Sequence, residues 1–122
     1  MVIERDERPW GAFEVLAEGK GYKVKRIEVK PGHRLSLQMH ENRSERWVIV
    51  QGAALVRVGE EEFTRHVNED VIIPIRTKHR VANPGDGLLI FIEVQCGHYL
   101  GEDDITRFED DYNRTGPPAE QI

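Results

Sequence analysis

The chain has 122 residues, which fits one compact domain, and 39% of them are hydrophobic, enough for a core. A formal net charge of −5 argues against binding along a nucleic-acid backbone, and the single cysteine, Cys96, cannot form an internal disulfide. The charged N-terminus does not resemble a signal peptide and no apolar run is long enough to cross a bilayer, so we expect a cytoplasmic protein that binds neither nucleic acid nor membranes.

Short β-strands separated by turn residues dominate the pattern. Tyr22–Val29 is rich in β-branched residues, and residues 35–40 alternate with a period of two. Further strands are predicted at Arg46–Gln51, Ala54–Val58, Glu62–Val67, Val71–Ile75, His79–Asn83 and Leu88–Gln95. This spacing predicts an all-β sandwich or closed barrel. In Tyr22–Val29 we interpret Lys23, Lys25 and Arg26 as the solvent-facing side.

The C-terminal part has a different pattern. In Gly101–Tyr112, Ile105 and Phe108 lie three residues apart and acidic residues crowd the start, which predicts one short helix. The following residues contain a Gly-Pro-Pro sequence and should be a loose tail. We therefore predict a single domain over residues 1–114 and a flexible polar tail over residues 115–122.

Four side chains form a candidate metal site. Gln38 and His40 lie two residues apart on one predicted strand, so they share a face of the sheet. Glu45 follows across a short turn, and His79 opens a later strand. Such a set of nitrogen and oxygen ligands suits Zn²⁺, Mn²⁺, Fe²⁺, Co²⁺ or Ni²⁺ without choosing among them. The alternative is that the histidines are ordinary strand residues and Gln38 is a buried, hydrogen-bonded amide.

Several motifs resemble a known family. Residues 31–52 (PGHRLSLQMHENRSERWVIVQG) and 74–83 (PIRTKHRVAN) resemble the two cupin motifs. Within the cupins, ERPWG at residues 7–11, LSLQMH at 35–40 and EVQCGHYLGEDDI at 93–105 resemble the type II mannose-6-phosphate isomerase domain. That domain usually follows a GDP-mannose pyrophosphorylase domain, whose Gly-rich phosphate loops are absent here, so we expect an isomerase domain that stands alone.

The resemblance implies a fold, a metal site and a reaction. The fold would be the cupin double-stranded β-helix, a small jelly roll. The metal ligands would be Gln38, His40, Glu45 and His79, with Zn²⁺ expected first and Mn²⁺, Co²⁺, Fe²⁺ or Ni²⁺ as alternatives. The reaction would interconvert mannose 6-phosphate and fructose 6-phosphate through an enediolate, whose negative charge a metal ion can stabilise.

Candidates for the remaining roles are mostly basic. Arg107, in a segment similar to one that supplies an active-site arginine in type I isomerases, is the leading catalytic residue. Glu93 is a candidate catalytic carboxylate, although both faces of its strand are apolar and the alternation does not show which face it occupies. Arg43 is a candidate substrate or phosphate contact near the cavity mouth. Arg80 and Lys78 are weaker substrate candidates, because residues beside His79 should point away from the metal.

Two positions depart from the family pattern. Arg46 stands where the family usually has histidine, and it should face outward if Glu45 faces inward. Arg76 stands where the family usually has glycine; if that turn requires a positive φ, arginine costs about 1–2 kcal/mol. These departures keep open a non-catalytic sugar-binding or regulatory cupin. A metal-dependent oxygenase ranks last, because Gln38 replaces a histidine that many such cupins use.

Two further expectations concern packing. Trp47 should pack inside the barrel, and Trp10 should anchor the N-terminal arm. Because apolar side chains occupy both faces of Leu88–Gln95, we expect one outer face to be covered, and we predict a homodimer.

Overall fold

A computed structural model describes residues 2–112, and these form eleven β-strands and no helix. The strands are β1 (Glu4–Arg8), β2 (Gly11–Gly19), β3 (Tyr22–Val29), β4 (Leu37–Met39), β5 (Arg43–Gln51), β6 (Ala54–Val58), β7 (Glu61–Arg65), β8 (Asp70–Ile73), β9 (His79–Ala82), β10 (Leu89–Gly97) and β11 (Thr106–Glu109). The predicted all-β fold is confirmed. The predicted tail over residues 115–122 lies outside the described residues.

The strands form two antiparallel sheets. The six-stranded sheet has the order β1-β2-β3-β10-β5-β8, and the five-stranded sheet has the order β11-β4-β9-β6-β7. Apolar side chains from both sheets, among them Val29, Ile49, Val56 and Phe91, form one buried cluster. The hydrophobic core therefore holds the two sheets together, and a functional site between them draws on strands that are distant in sequence.

The first correction concerns the N-terminus, where the sequence analysis placed no strand before Tyr22. Strands β1 (Glu4–Arg8) and β2 (Gly11–Gly19) pair as a hairpin, and β2 also pairs with β3. The polar strand β1 has no apolar alternation to reveal it, since it lies at a sheet edge and is held by pairing and by ion pairs such as Arg5–Glu14. Trp10, at the hairpin turn, is buried as expected.

Residues 101–112 form no helix, so the predicted C-terminal helix is wrong. Residues 98–105 form no strand or helix, and Thr106–Glu109 is an edge strand that pairs with β4. An isolated helix of this length is marginal without a broad apolar face, whereas an open sheet edge offers backbone hydrogen bonds. Two apolar side chains, Ile105 and Phe108, are too few to stabilise a helix over the edge strand.

Alternation along the central strands settles which side chains face inward. On β5, Glu45 and Trp47 are buried whereas Arg46 is exposed, which confirms the expected positions of Trp47 and Arg46. On β10, Glu93 is buried between the sheets. On β3, Lys25 is only 3% exposed, so its assignment to the solvent-facing side is wrong.

The outer face of the six-stranded sheet keeps apolar side chains at the surface. Val48, Ile72 and Val94 are exposed, and they lie on the neighbouring strands β5, β8 and β10. The predicted homodimer depends on this face and stays a prediction. No helix that could span a membrane is present in residues 2–112.

Candidate metal centre

A cavity of about 300 Å³ lies between the two sheets. Its walls come from β1, β2, β3, β4, β5, β10 and β11 and from the irregular segment before β11. Charged side chains are prominent in its lining, among them Lys25, Arg43, Glu45, Glu93, Glu102 and Arg107. Apolar side chains such as Phe13 and Trp47 line it as well, so the cavity suits a small ligand that carries charged groups.

Three of the four expected metal ligands converge beside this cavity. The ligand atoms of His40, Glu45 and His79 all lie within 4.8 Å of one another. The Nε2 atom of His40 is 3.2 Å from Oε2 of Glu45, and the Nε2 atom of His79 is 3.9 Å from Oε1. All three side chains are buried, and they come from both sheets.

Gln38 lies on the same wall. It occupies β4 directly opposite His79 on β9, and directly opposite strand residues project to one face of a sheet. It also lines the cavity together with His40 and Glu45. Strand pairing therefore brings the amide to the face that carries the imidazoles.

The two imidazoles are oriented for ligation. Nδ1 of His40 donates a hydrogen bond of 2.7 Å to the carbonyl of Asp104, and Nδ1 of His79 donates one of 2.9 Å to the carbonyl of Thr77. A carbonyl only accepts, so Nδ1 of each ring carries a proton, and Nε2 is the nitrogen that faces Glu45 and can ligate an ion. Burial lowers the pKa of His79 to about 4, so this ring is neutral at physiological pH.

Glu45 supplies the negative charge. Nε of Arg43 donates to Oε2 over 2.9 Å, and the indole Nε1 of Trp47 donates to Oε1 over 2.9 Å. Burial would raise the pKa of Glu45, but Arg43 and the two histidines outweigh it and hold the pKa well below its ordinary value. An ionised carboxylate beside two imidazole Nε2 atoms and an amide oxygen is a donor set that fits a divalent ion such as Zn²⁺.

Arg43 lies deeper than expected. It is the first residue of β5, it is buried, and its Nη2 is 3.2 Å from Nε2 of His40. Among the described residues its Nη1 has no hydrogen-bond partner, although it is buried. The guanidinium therefore lines the metal end of the cavity.

The two proposed catalytic residues both reach the cavity. Glu93 lines it from β10 and accepts a hydrogen bond of 2.7 Å from Nε2 of Gln95. Burial, reinforced by repulsion from Glu45, raises the pKa of Glu93 to about 8. Arg107 lines the cavity from β11, where it lies directly opposite Gln38.

Lys78 and Arg80 are not brought to the cavity lining. The Nζ atom of Lys78 lies 4.2 Å from the ring centroid of Phe108, and Nε of Arg80 donates over 2.8 Å to the carbonyl of Leu35. The physical reason is strand alternation, because the neighbours of an inward-facing residue such as His79 project to the opposite face.

Arg76 occupies a left-handed conformation with φ of 53°, so the turn does require the positive φ that glycine adopts most easily. Its backbone N–H donates to the carbonyl of His40 over 2.8 Å. The departure from glycine therefore lies in the turn that supports a candidate metal ligand.

Some residues of the site were missed by sequence reasoning. Asp104 accepts hydrogen bonds from the backbone N–H groups of Glu41 and Asn42 at 3.0 and 2.9 Å, in addition to holding His40. These two bonds outweigh burial and lower the pKa of Asp104. No local signal reveals this role, because its partners are more than 60 residues away. For Lys25 a signal existed, since it shares a period of two with buried Ile27.

Comparisons with known proteins show the family to which the chain belongs. Residues 3–110 match the model of a family described as mannose-6-phosphate isomerase C-terminal. The alginate biosynthesis protein AlgA of Pseudomonas aeruginosa is 51% identical over 115 residues, covering 94% of this chain and 24% of AlgA. The mannose-1-phosphate guanylyltransferase ManC of Salmonella typhimurium is 49% identical over 107 residues, covering 88% and 22%. The chain thus spans less than a quarter of the length of these relatives.

Solved structures show the same fold. An oxalate decarboxylase of Lactobacillus farciminis superposes with a TM-score of 0.75 at 23% identity, over 86% of this chain and 33% of that chain. The cupin domain of Schizosaccharomyces pombe Cnp3 superposes with a TM-score of 0.67 at 13% identity, over 78% and 69%. At such identities the likeness concerns the fold alone, and the fold is that of a cupin.

Proposed function

The chain belongs to the family of mannose-6-phosphate isomerase C-terminal domains, and from that premise we propose that it interconverts mannose 6-phosphate and fructose 6-phosphate with a bound divalent metal ion. The observation that carries the proposal is the convergence of His40, Glu45 and His79 beside a cavity lined by acidic and basic side chains. Zn²⁺ as the native ion and a cytoplasmic location belong to the same proposal, and metal analysis of the purified protein tests the first.

The reaction moves a proton between two neighbouring carbons of the sugar, and the difficult species is an enediolate with negative charge on two oxygens. Gln38, His40, Glu45 and His79 would hold the ion. A bound divalent ion would supply Lewis-acid stabilisation of that negative charge. The protein must add a group that transfers the proton and cations that orient the sugar.

Glu93 is the proposed proton-transfer group. It is a buried carboxyl that lines the cavity, yet it is not one of the proposed ligands, so its oxygens can exchange a proton with the sugar. The hydrogen bond from Gln95 fixes the direction of its carboxyl group. Arg107 and Arg43 are the proposed contacts to sugar oxygens, because both guanidinium groups line the same cavity. Lys78 and Arg80 are left out of the proposal because they lie elsewhere.

The experiment follows the hydrogen at C2 of mannose 6-phosphate by NMR in D₂O with the metal-loaded protein. We expect exchange at C2 and formation of fructose 6-phosphate. Glu93→Gln should abolish exchange without changing metal content, whereas Glu60→Gln, a matched change at a side chain that is 97% exposed, should leave it intact. No exchange and no product with Zn²⁺, Mn²⁺, Co²⁺ or Fe²⁺ would overturn the proposal. Tight sugar-phosphate binding without turnover would instead favour the non-catalytic cupin.

A further inference from the structure

Lys25 is a buried cation in the cavity that the proposed reaction does not yet use. Its side chain is 4% exposed, and its Nζ atom lies 4.1 Å from the ring centroid of Phe13. Its ion-pair partner is Glu102. Burying an ammonium group costs several kcal/mol unless an anion compensates it. A buried lysine in a polar cavity is therefore a place where an anionic group binds favourably.

Lys25 lies away from the proposed metal ligands. In the six-stranded sheet it is directly opposite Glu93 on β10, and Glu93 is directly opposite Trp47 on β5. Neighbouring strands are about 4.8 Å apart, so the backbone at Lys25 is about 10 Å from β5, the strand that carries Glu45. The cavity thus has a metal end and, two strands away, a cationic end.

A hexose 6-phosphate has the same two-ended shape. The carbons that exchange the proton are at one end of the six-carbon chain, and the phosphate is on the last carbon at the other end. A phosphate anchor must therefore lie away from the ion that contacts the reacting end. Arg43 does not meet this condition, because its guanidinium is bonded to Glu45 and His40. Lys25 does.

A second cation packs against the same aromatic ring as Lys25. The guanidinium carbon of Arg8 is 5.3 Å from the same Phe13 ring, and Arg8 also lines the cavity. Arg8 is paired at 3.1 Å with Asp6, and Lys25 with Glu102, whose side chain is 46% exposed. The Asp6 and Glu102 side chains are 39% and 46% exposed, so water can solvate these carboxylates when a dianionic phosphate replaces them at the two cations.

We propose that Lys25 and Arg8 bind the phosphate group of the substrate at the end of the cavity away from the metal ligands, and that the Glu102 carboxylate competes for the same position. This inference rests on the proposed function for the identity of the ligand, a sugar phosphate. It makes opposite predictions for Lys25 and Glu102, which form one ion pair.

The test measures binding of mannose 6-phosphate, inorganic phosphate and unphosphorylated mannose by calorimetry and ³¹P NMR. Lys25→Met should weaken binding of both phosphate-bearing ligands by at least about tenfold, since a hydrogen bond to a charged group is lost. Glu102→Gln should tighten binding of both severalfold, because the competing charge is removed. Lys30→Met removes the same charge from an exposed position and should change neither. Affinity for mannose should be the same in all four proteins.

The outcomes separate this inference from the proposed function. The inference would be overturned if Lys25→Met lost the same affinity for mannose as for mannose 6-phosphate, or if Glu102→Gln bound phosphate more weakly. Either result would show that the ion pair only holds the irregular segment before β11 in place. A wild-type protein that binds no inorganic phosphate would also overturn it. If inorganic phosphate binding follows the expected order but mannose 6-phosphate is not isomerised, the anion site stands and the proposed function fails. Should Lys25→Met not fold, Glu102→Gln still decides the question.

Discussion

The two ends of the cavity are built in different ways. At the metal end, Glu45 and His79 lie on internal strands of the two sheets, and His40 directly follows β4. Backbone carbonyls hold both imidazoles. At the other end, Lys25 lies on the internal strand β3, but Arg8 lies on the edge strand β1 and Glu102 on a segment without regular structure. The comparison indicates that ion ligation needs fixed side chains, whereas a site that admits a ligand needs partners that can be exchanged.

The largest expected effect is at the metal end. His79→Asn should weaken divalent-ion affinity by at least about 100-fold, since a direct ligand is lost where even supporting residues are worth 10–100-fold. Competition with a chelating dye measures this affinity. His66→Asn, at an exposed histidine, is the control and should have no effect. A chelator should likewise stop C2 exchange, and added ion should restore it. Unchanged affinity in His79→Asn would contradict the assigned ligand set.

Asp104→Ala should destabilise the protein by about 1–3 kcal/mol, because the N–H groups of Glu41 and Asn42 lose their acceptors. It should also lower ion affinity by about tenfold, since the backbone carbonyl of residue 104 that orients His40 is itself held in place by these two carboxylate bonds. Thermal unfolding and an ion titration measure the two effects. Asp104→Asn keeps one acceptor and should be intermediate. A loss of stability with unchanged ion affinity would show that the rim of the cavity, formed by residues 98–105, and the metal end are independent.

Arg76→Gly should raise Tm by about 2–5 °C, because glycine relieves the strain of the left-handed turn at a smaller entropic cost. Asn68→Gly is the matched control: Asn68 also has a positive φ, of 73°, but asparagine tolerates this conformation, so its gain should be smaller. Scanning calorimetry compares the two variants. An equal or larger gain at Asn68 would show that the turn beside His40 is not strained.

The smallest effect concerns the rim and pH. Partial burial would raise the pKa of Glu102, but Lys25 outweighs it and lowers the pKa below the ordinary value of 4.5. Their ion pair therefore stabilises the protein above pH 4.5, and this contribution disappears as the pH falls below 4.5 towards the lowered pKa. Glu102→Gln should lower Tm by about 1–3 °C at pH 7, and the difference from wild type should vanish at acidic pH. Glu60→Gln should show no such pH dependence.

The sequence predicts the metal end better than the cationic end, because the metal end depends on local patterns and the cationic end on contacts between distant segments. Gln38, His40 and Glu45 follow from a period of two and a short turn, which the sequence displays directly. The face of Glu93 could not be predicted, because apolar residues on both sides of β10 leave the alternation ambiguous. The cationic end was missed because β1 is polar and the segment around Glu102 was interpreted as a helix. The conformation of this segment depends on contacts with β3 and with the turn after β4, which are far away in sequence.

Asp104 has a consequence for how this rim can vary. Its carbonyl and both carboxylate oxygens are committed to His40, Glu41 and Asn42, so the segment is anchored at that point. The Asp104 N–H also donates to the carbonyl of Gly101, so we expect changes in residues 98–100, which precede this turn, to leave ion ligation intact. Ligand selectivity can therefore be re-engineered, or can diverge during evolution, in the residues before Asp104 while the metal-binding residues stay unchanged.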